Sequence, residues 1–143
     1  MSTVLADEIQ IVVFGLDKEE YGVDISRVQE IIRVPAITAL PGTPEYVLGV
    51  TNLRGSIIPI VDTRKKFGRA NIEISDEARV IVQEINGNKV GLIVDDVREV
   101  VKISVNQVVP ADNVGIGIRA DYLFGVVRYD DRLLILLDVD KIL

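Results

Sequence analysis

Apolar residues along this chain fall mostly in short runs parted by one or a few turn-forming residues, the spacing of strands and hairpins. Ile9 to Leu16 (IQIVVFGL) is rich in β-branched residues, Asp17 to Glu20 is polar, and Tyr21 to Ile25 (YGVDI) resumes the pattern, so the two runs predict a hairpin. Ser26 followed by Gln29 has the form of a capping box and predicts a short helical segment, RVQEII, from Arg27 to Ile32. Pro35 stops it, because Val34 before a proline is pushed towards extended geometry. Together with Pro35, the segment AITALPGTPEY carries three prolines and a glycine and predicts an ordered loop in which Ile37 and Leu40 are apolar. Val47 to Leu53 and Ile57 to Val61 follow as a second hairpin turned at Arg54-Gly55, where glycine supplies the positive φ that a two-residue hairpin needs. Asp62 then caps a short helix, TRKKF, which Gly68 ends.

The second half repeats this grammar. A strand from Ala78 to Ile85, a turn at Asn86-Gly87-Asn88 and a strand from Lys89 to Val94 lead into VREVVKI; Asn-Gly is the strongest hairpin signal in the chain. Asp121 to Tyr129 (DYLFGVVRY) and Arg132 to Val139 (RLLILLDV) form a last hairpin around Asp130-Asp131. Laying Tyr21 over Val90 matches Gly22 with Gly91, Val28 with Val97 and Glu30 with Glu99. Laying Tyr46 over Tyr122 matches Gly49 with Gly125, Val50 with Val126, Asp62 with Asp138 and Lys65 with Lys141. The chain therefore reads as a duplicated β unit, the first over about residues 9–68 and the second over about 78–143, within a single domain. Two like units would pack as lobes about a pseudo-two-fold axis, each a small twisted sheet or barrel, with a groove between them.

Composition narrows the chemistry. The length of 143 residues suits one self-supporting domain. The chain has no Cys and no His, which removes thiol nucleophiles, disulfides, the usual zinc sites and imidazole bases. A net charge of −6 with three Phe and four Tyr disfavours a nucleic-acid partner, by repulsion from phosphates and by want of stacking platforms. No apolar run reaches the roughly 18 residues of a membrane span. The start, MSTVLADEIQ, lacks the basic and apolar regions of an export signal, so a soluble, cytoplasmic protein is expected.

Few motifs suggest catalysis. The acidic pairs Glu19/Glu20, Asp95/Asp96 and Asp130/Asp131 could serve a carboxylate-dependent hydrolase only if two faced each other across a cleft in unlike environments; as turn and cap residues they need no such role. VGIGIRAD, from Val114 to Asp121, lacks the third glycine and the following helix of a dinucleotide fingerprint and reads as a loop. The basic TRKKFGR reads as a solvated helix face. Arg54 stands apart: Asn52, Leu53, Arg54 and Ser56 offer donors on a rigid hairpin tip, and arginine is suited to anchoring an interface. In the matched register Arg54 falls on Asp130, so the repeats differ in charge at this tip.

The segments FGLDKEEYGVDISRVQEII, GVTNLRGSIIPIVDTRKKFG, VGLIVDDVREVV and YLFGVVRYDDRLLILLD together resemble the CheW-like coupling domain of bacterial and archaeal chemotaxis, over nearly the whole chain. That resemblance implies a mainly β fold of two pseudo-symmetric SH3-like five-stranded β barrels with short helices, and no catalytic activity or cofactor. It implies an adaptor that joins the cytoplasmic tip of a chemoreceptor to the regulatory domain of the histidine kinase CheA, in arrays beneath the inner membrane. On the matching motifs, Val28 and Arg54 are tied to receptor binding, with Glu30, Ile31 and Gly49 beside them; Arg54 would meet a receptor helix hairpin at the groove between lobes, with Val28 and Ile31 in apolar contact. For the kinase, Ile37, Leu40 and Pro41 are expected contacts from their place in the loop. The chain departs from the family in carrying Thr63 where Leu is commoner, expected to be neutral at a helix start. The absence of a receiver domain and of an ATP-binding segment argues against the two-domain adaptor CheV and a full kinase; an excised domain of either is the alternative.

Overall fold

The computed structural model describes residues 8–68, 74–110 and 123–142. The loop VGIGIRAD, Arg69 of the basic run, Tyr122 and Leu143 lie outside the described residues, as does most of the N-terminal segment read for an export signal. The strands are β1 (Glu8–Leu16), β2 (Glu19–Asp24), β3 (Val28–Arg33), β4 (Val47–Leu53), β5 (Ser56–Asp62), β6 (Arg79–Ile85), β7 (Asn88–Val94), β8 (Asp96–Ser104), β9 (Val109–Pro110), β10 (Leu123–Tyr129) and β11 (Arg132–Leu137), with one short α-helix, α1 (Thr63–Lys66). Among the described residues no helix is long and apolar enough to cross a membrane.

The chain divides into two compact units, Met1–Arg27 with Arg98–Leu143, and Val28–Val97. The first carries a six-stranded sheet in the order β8-β1-β2-β11-β10-β9, the second a five-stranded sheet in the order β3-β6-β7-β5-β4. The register found in the sequence maps β3 on β8, β1 on β6, β2 on β7, β4 on β10 and β5 on β11, so the two sheets have the same order of equivalent strands. Each sheet is nevertheless built from both repeats. At its centre lies one parallel junction: Gly22 opposite Leu136 between β2 and β11, and Gly91 opposite Ile60 between β7 and β5. Both glycines are needed there, since a Cβ on Gly22 would lie 2.3 Å from Ile11 Cγ2, and one on Gly91 would lie 2.7 Å from Val80 Cγ1 and 2.8 Å from Ile60 Cδ1.

Alternating apolar positions fill each unit by itself. Ile11, Val13, Val101, Ile103, Val127, Leu134 and Leu136 form one buried cluster, and Ile58, Ile60, Val80, Val82 and Ile93 form the other. A fully buried side chain of this kind is worth about 1.5–3 kcal/mol. The hairpins turn where expected: Arg54-Gly55 and Asn86-Gly87 have positive φ at both residues, as do Asp130-Asp131, the geometry that matches strand twist. Asp62 caps α1 by accepting from the backbone N–H groups of Arg64 and Lys65.

Two local readings are corrected. RVQEII is not helical: a 3-10 turn at Ile25–Arg27 gives way to β3, whose residues alternate between half-buried and exposed. Asp24 Oδ1, not Ser26, takes the local capping bond by accepting from the Ser26 N–H, and β6 offers the β-branched Ile31 and Ile32 a ladder opposite Ile81 and Val80. The last strand ends at Leu137 rather than Val139, because Asp138 caps a further 3-10 turn at Val139–Lys141.

Sheet closure follows the same plan in each unit. After β3 the chain crosses to the free edge of β4, where Thr38 and Val50 exchange backbone hydrogen bonds of 2.9 Å and Thr51 Oγ1 donates to the Ala36 carbonyl at 2.9 Å. In the other unit β9 runs along β10, pairing Val109 with Val126 and Pro110 with Gly125. The matched glycines make this possible. A Cβ on Gly49 would lie 2.1 Å from the Thr38 carbonyl oxygen, and one on Gly125 would lie 2.4 Å from that of Val109.

Candidate functional site

Arg54 owes its position to its turn. Its φ of 50° and the 88° of Gly55 make a two-residue loop, and Asn52 Oδ1 accepts from the Gly55 N–H at 2.9 Å to brace it. The guanidinium projects from this tip with its side chain 72% exposed, and Nη1 pairs with Glu30 Oε1 at 2.5 Å. Glu30 comes from β3 and Arg54 from the β4–β5 hairpin, opposite ends of the strand order, so sheet closure brings an acid to an arginine that has none near it in the sequence. The hydrogen bond from Arg54, ahead of its charge, holds the Glu30 carboxyl below its ordinary value, and Glu30 raises Arg54 in turn.

Ile31 and Ile57 add exposed apolar surface, 40% and 65% accessible. Ile57 was not singled out from the sequence, yet its signal was there: if Ile58 and Ile60 point inward, period two turns Ile57 to solvent. Val28 is half-buried at the start of β3, opposite Gln83. Gly49 is buried beneath Thr38 and Ala39 and offers no surface of its own. Pro35, Ala36, Thr38, Val50, Thr51, Asn52 and Ile57 line a shallow depression of about 400 Å³. Among the expected kinase contacts, Leu40 and Pro41 are exposed, while Ile37 is half-buried against the core cluster.

The other unit carries a related arrangement that sequence reading missed. Glu99, the register partner of Glu30, pairs with Arg132 at 2.7 Å, and Arg132 also reaches Glu20 at 3.4 Å. The arginine has moved from the tip to the first residue after it, so the Arg54-to-Asp130 difference is a displacement of the cation. Val100 and Leu133, matched to Ile31 and Ile57, are likewise exposed.

The acidic pairs do not assemble as facing carboxylates. Glu19 accepts from the Tyr21 hydroxyl at 2.9 Å, Glu20 is held by Arg98 and Arg132, Asp95 by Arg64 and Asp131 by Arg128. Among the described residues no group of three or more Asp, Glu, His or Cys could hold a metal. The basic run is not a solvated face either: Arg64 is buried, and Lys66 lies 4.1 Å from the centre of the Tyr46 ring.

Each unit carries a β sheet with an ion pair flanked by exposed apolar residues, and comparison with known proteins places the chain among scaffolds. The CheW-like domain family matches residues 10–143, and the chain belongs to that family. It is 38% identical to Chemotaxis protein CheW of Klebsiella aerogenes over 94% of this chain and 81% of the relative. It is 33% identical to Chemotaxis protein CheV3 of Helicobacter pylori over 86% of this chain but 40% of that relative. The crystal structure of scaffolding protein TtCheW from Thermoanaerobacter tengcongensis is similar with a TM-score of 0.88 and 40% identity, covering 94% of this chain and 86% of that one. The chain is thus a chemotaxis scaffold of a non-enzymatic family, with the mainly β fold expected of it.

Proposed function

We propose that this scaffold couples chemoreceptors to the histidine kinase CheA in cytoplasmic arrays beneath the inner membrane. The observation that carries the reading is the Glu30–Arg54 pair beside exposed Ile31 and Ile57. A receptor helix hairpin would place apolar residues on Ile31 and Val28 and exchange polar contacts with Arg54 and Glu30. Gly49 would act by seating the Pro35–Leu40 segment. Leu40 and Pro41 would contribute to kinase contact, with Ile37 holding their loop to the core. Coupling is then a matter of geometry, each contact weak and the array multivalent.

Titration of a receptor cytoplasmic hairpin and a CheA regulatory domain against the wild type, Arg54→Ala and Leu40→Ala tests this. Arg54→Ala should weaken receptor binding about tenfold or more, the scale of a truncated interface anchor, with kinase binding and the thermal melt unchanged. Leu40→Ala should do the reverse. Unchanged receptor affinity in Arg54→Ala removes the receptor assignment, and a wild type that binds neither partner removes the coupling reading. The similarity to CheV3 favours one alternative, that the same domain works inside a longer chain; the length of the reading frame decides between them.

A further inference from the structure

Two ion pairs other than Glu30–Arg54 and Glu99–Arg132 occupy matched places in the two sheets with their polarity reversed. Beyond β2, Arg27 makes a two-pronged contact with Asp140, Nη2 to Oδ1 at 2.6 Å and Nη1 to Oδ2 at 3.0 Å. Asp140 stands two residues past the cap residue Asp138 that follows β11. In the other sheet Arg64 stands two residues past the cap residue Asp62 that ends β5, and its Nε lies 3.4 Å from Oδ1 of Asp95, just beyond β7. The repeat register puts Arg64 on Asp140, and Arg27 on Asp96 beside Asp95. Both arginines therefore belong to the first repeat and the acids they meet across the junction to the second, while Asp62, 3.8 Å from Arg64, belongs to the same repeat as Arg64.

This distribution matters because the backbone ladder at the parallel junctions does not tell the repeats apart; among the side chains beside it Glu20 of β2 also does, pairing with Arg132 of β11 where the matched place on β7 is Lys89. Gly22 meets Leu136 and Gly91 meets Ile60 in the same register. If β2 instead joined β5, and β7 joined β11, glycine would again meet a branched apolar residue with the backbone ladder intact. The ends would not tolerate the exchange. Arg27 would then approach Arg64, whose side chain is only 5% exposed, and Asp95 and Asp96 would approach Asp140.

We propose that Arg27–Asp140 and Arg64–Asp95 are a pairing code that directs the first repeat to assemble only with the second, by attraction in the crossed arrangement and repulsion in the uncrossed one. The code applies to strands of one chain and equally to strands offered by a second copy, so it rejects like-with-like assembly from either source.

The test is refolding of the full chain from denaturant, read by size-exclusion chromatography with light scattering and by circular dichroism. Arg27→Asp alone should lower the melting temperature. Arg27→Asp combined with Asp140→Arg keeps an ion pair at that place but gives both pairs the same polarity, so the uncrossed arrangement is no longer repelled at the strand ends. That double variant should melt within a few degrees of the wild type, yet give at least twofold less native monomer, the remainder in misassembled or dimeric species. A surface ion pair with no role in pairing would not separate these two readouts. Native yield equal to wild type from the well-folded double variant overturns the proposal.

Should the double variant not fold, refolding of the wild type from about 0.1 M to about 1 M NaCl decides, because the screening length falls from about 10 Å to about 3 Å. Native yield should decline across that series. A yield independent of salt overturns the code.

Discussion

At the scale of single residues, polar groups in this protein divide into those given a partner by the fold and those left without one. Glu30 is in the first class. Its folded pKa lies below the unfolded value because of Arg54, so whatever the pair contributes is present above the ordinary carboxylate range and lost only as pH falls through the lowered value. A carboxyl-detected NMR titration should accordingly find the Glu30 midpoint lower in the wild type than in Arg54→Ala. Gln83 and Thr63 are in the second class: both are 0% exposed, and the Gln83 amide and the Thr63 hydroxyl have no hydrogen-bond partner among the described residues. Burial without a partner costs about 1–3 kcal/mol. Gln83→Leu and Thr63→Val should each raise stability by about 1 kcal/mol in denaturant unfolding. The register of the repeats supports the first change, since Gln83 corresponds to Phe14, which lies 6.0 Å from Tyr21 in a stacked apolar pair. The sequence marked Thr63 as a departure expected to be neutral; its burial without a hydrogen-bond partner among the described residues is what motivates the substitution.

At the scale of elements, the chain is organised by hairpins and by the two crossings that close the sheets. Gly49 and Gly55 both have positive φ, 149° and 88°, and they separate two costs. Gly55 has nothing within 4 Å of a built Cβ, so Gly55→Ala should cost about 1–2 kcal/mol for backbone conformation alone. Gly49→Ala also drives a methyl into the Thr38 carbonyl and should cost on the order of 3 kcal/mol or more. Paired thermal melts would show the difference. Hairpins were legible because Asn-Gly, Arg-Gly and flanking alternation are local signals. The helix expected over RVQEII failed because its capping pattern was local while the ladder that won, with β6, joins residues far apart in sequence.

At the scale of the whole molecule, each sheet depends on strands from both halves of the chain. The parallel junction of β2 with β11 cannot form until residues from near the two ends have met. Such non-local pairing is slow, because loop closure is unfavourable before any contact compensates it. Refolding in stopped-flow fluorescence or circular dichroism should therefore occupy milliseconds to seconds, the range of β-rich domains; a microsecond phase carrying the full amplitude would mean that the sheets form from local hairpins alone. The same dependence is why a pairing code at the junctions is useful here.

The sequence by itself determined most of the strands, the turn positions, the cap at Asp62, the internal duplication and the family motifs, all of which rest on spacing between near neighbours. It also marked Arg54 as the residue to explain. Tertiary structure alone decided that Arg54 is met by Glu30, that Arg64 is buried against Asp95, that Gly49 seats a distant loop, and that each sheet draws strands from both repeats. Those facts depend on closure of a sheet and on contacts between residues far apart along the chain, and no local pattern of polar and apolar positions encodes which distant edge a strand will meet.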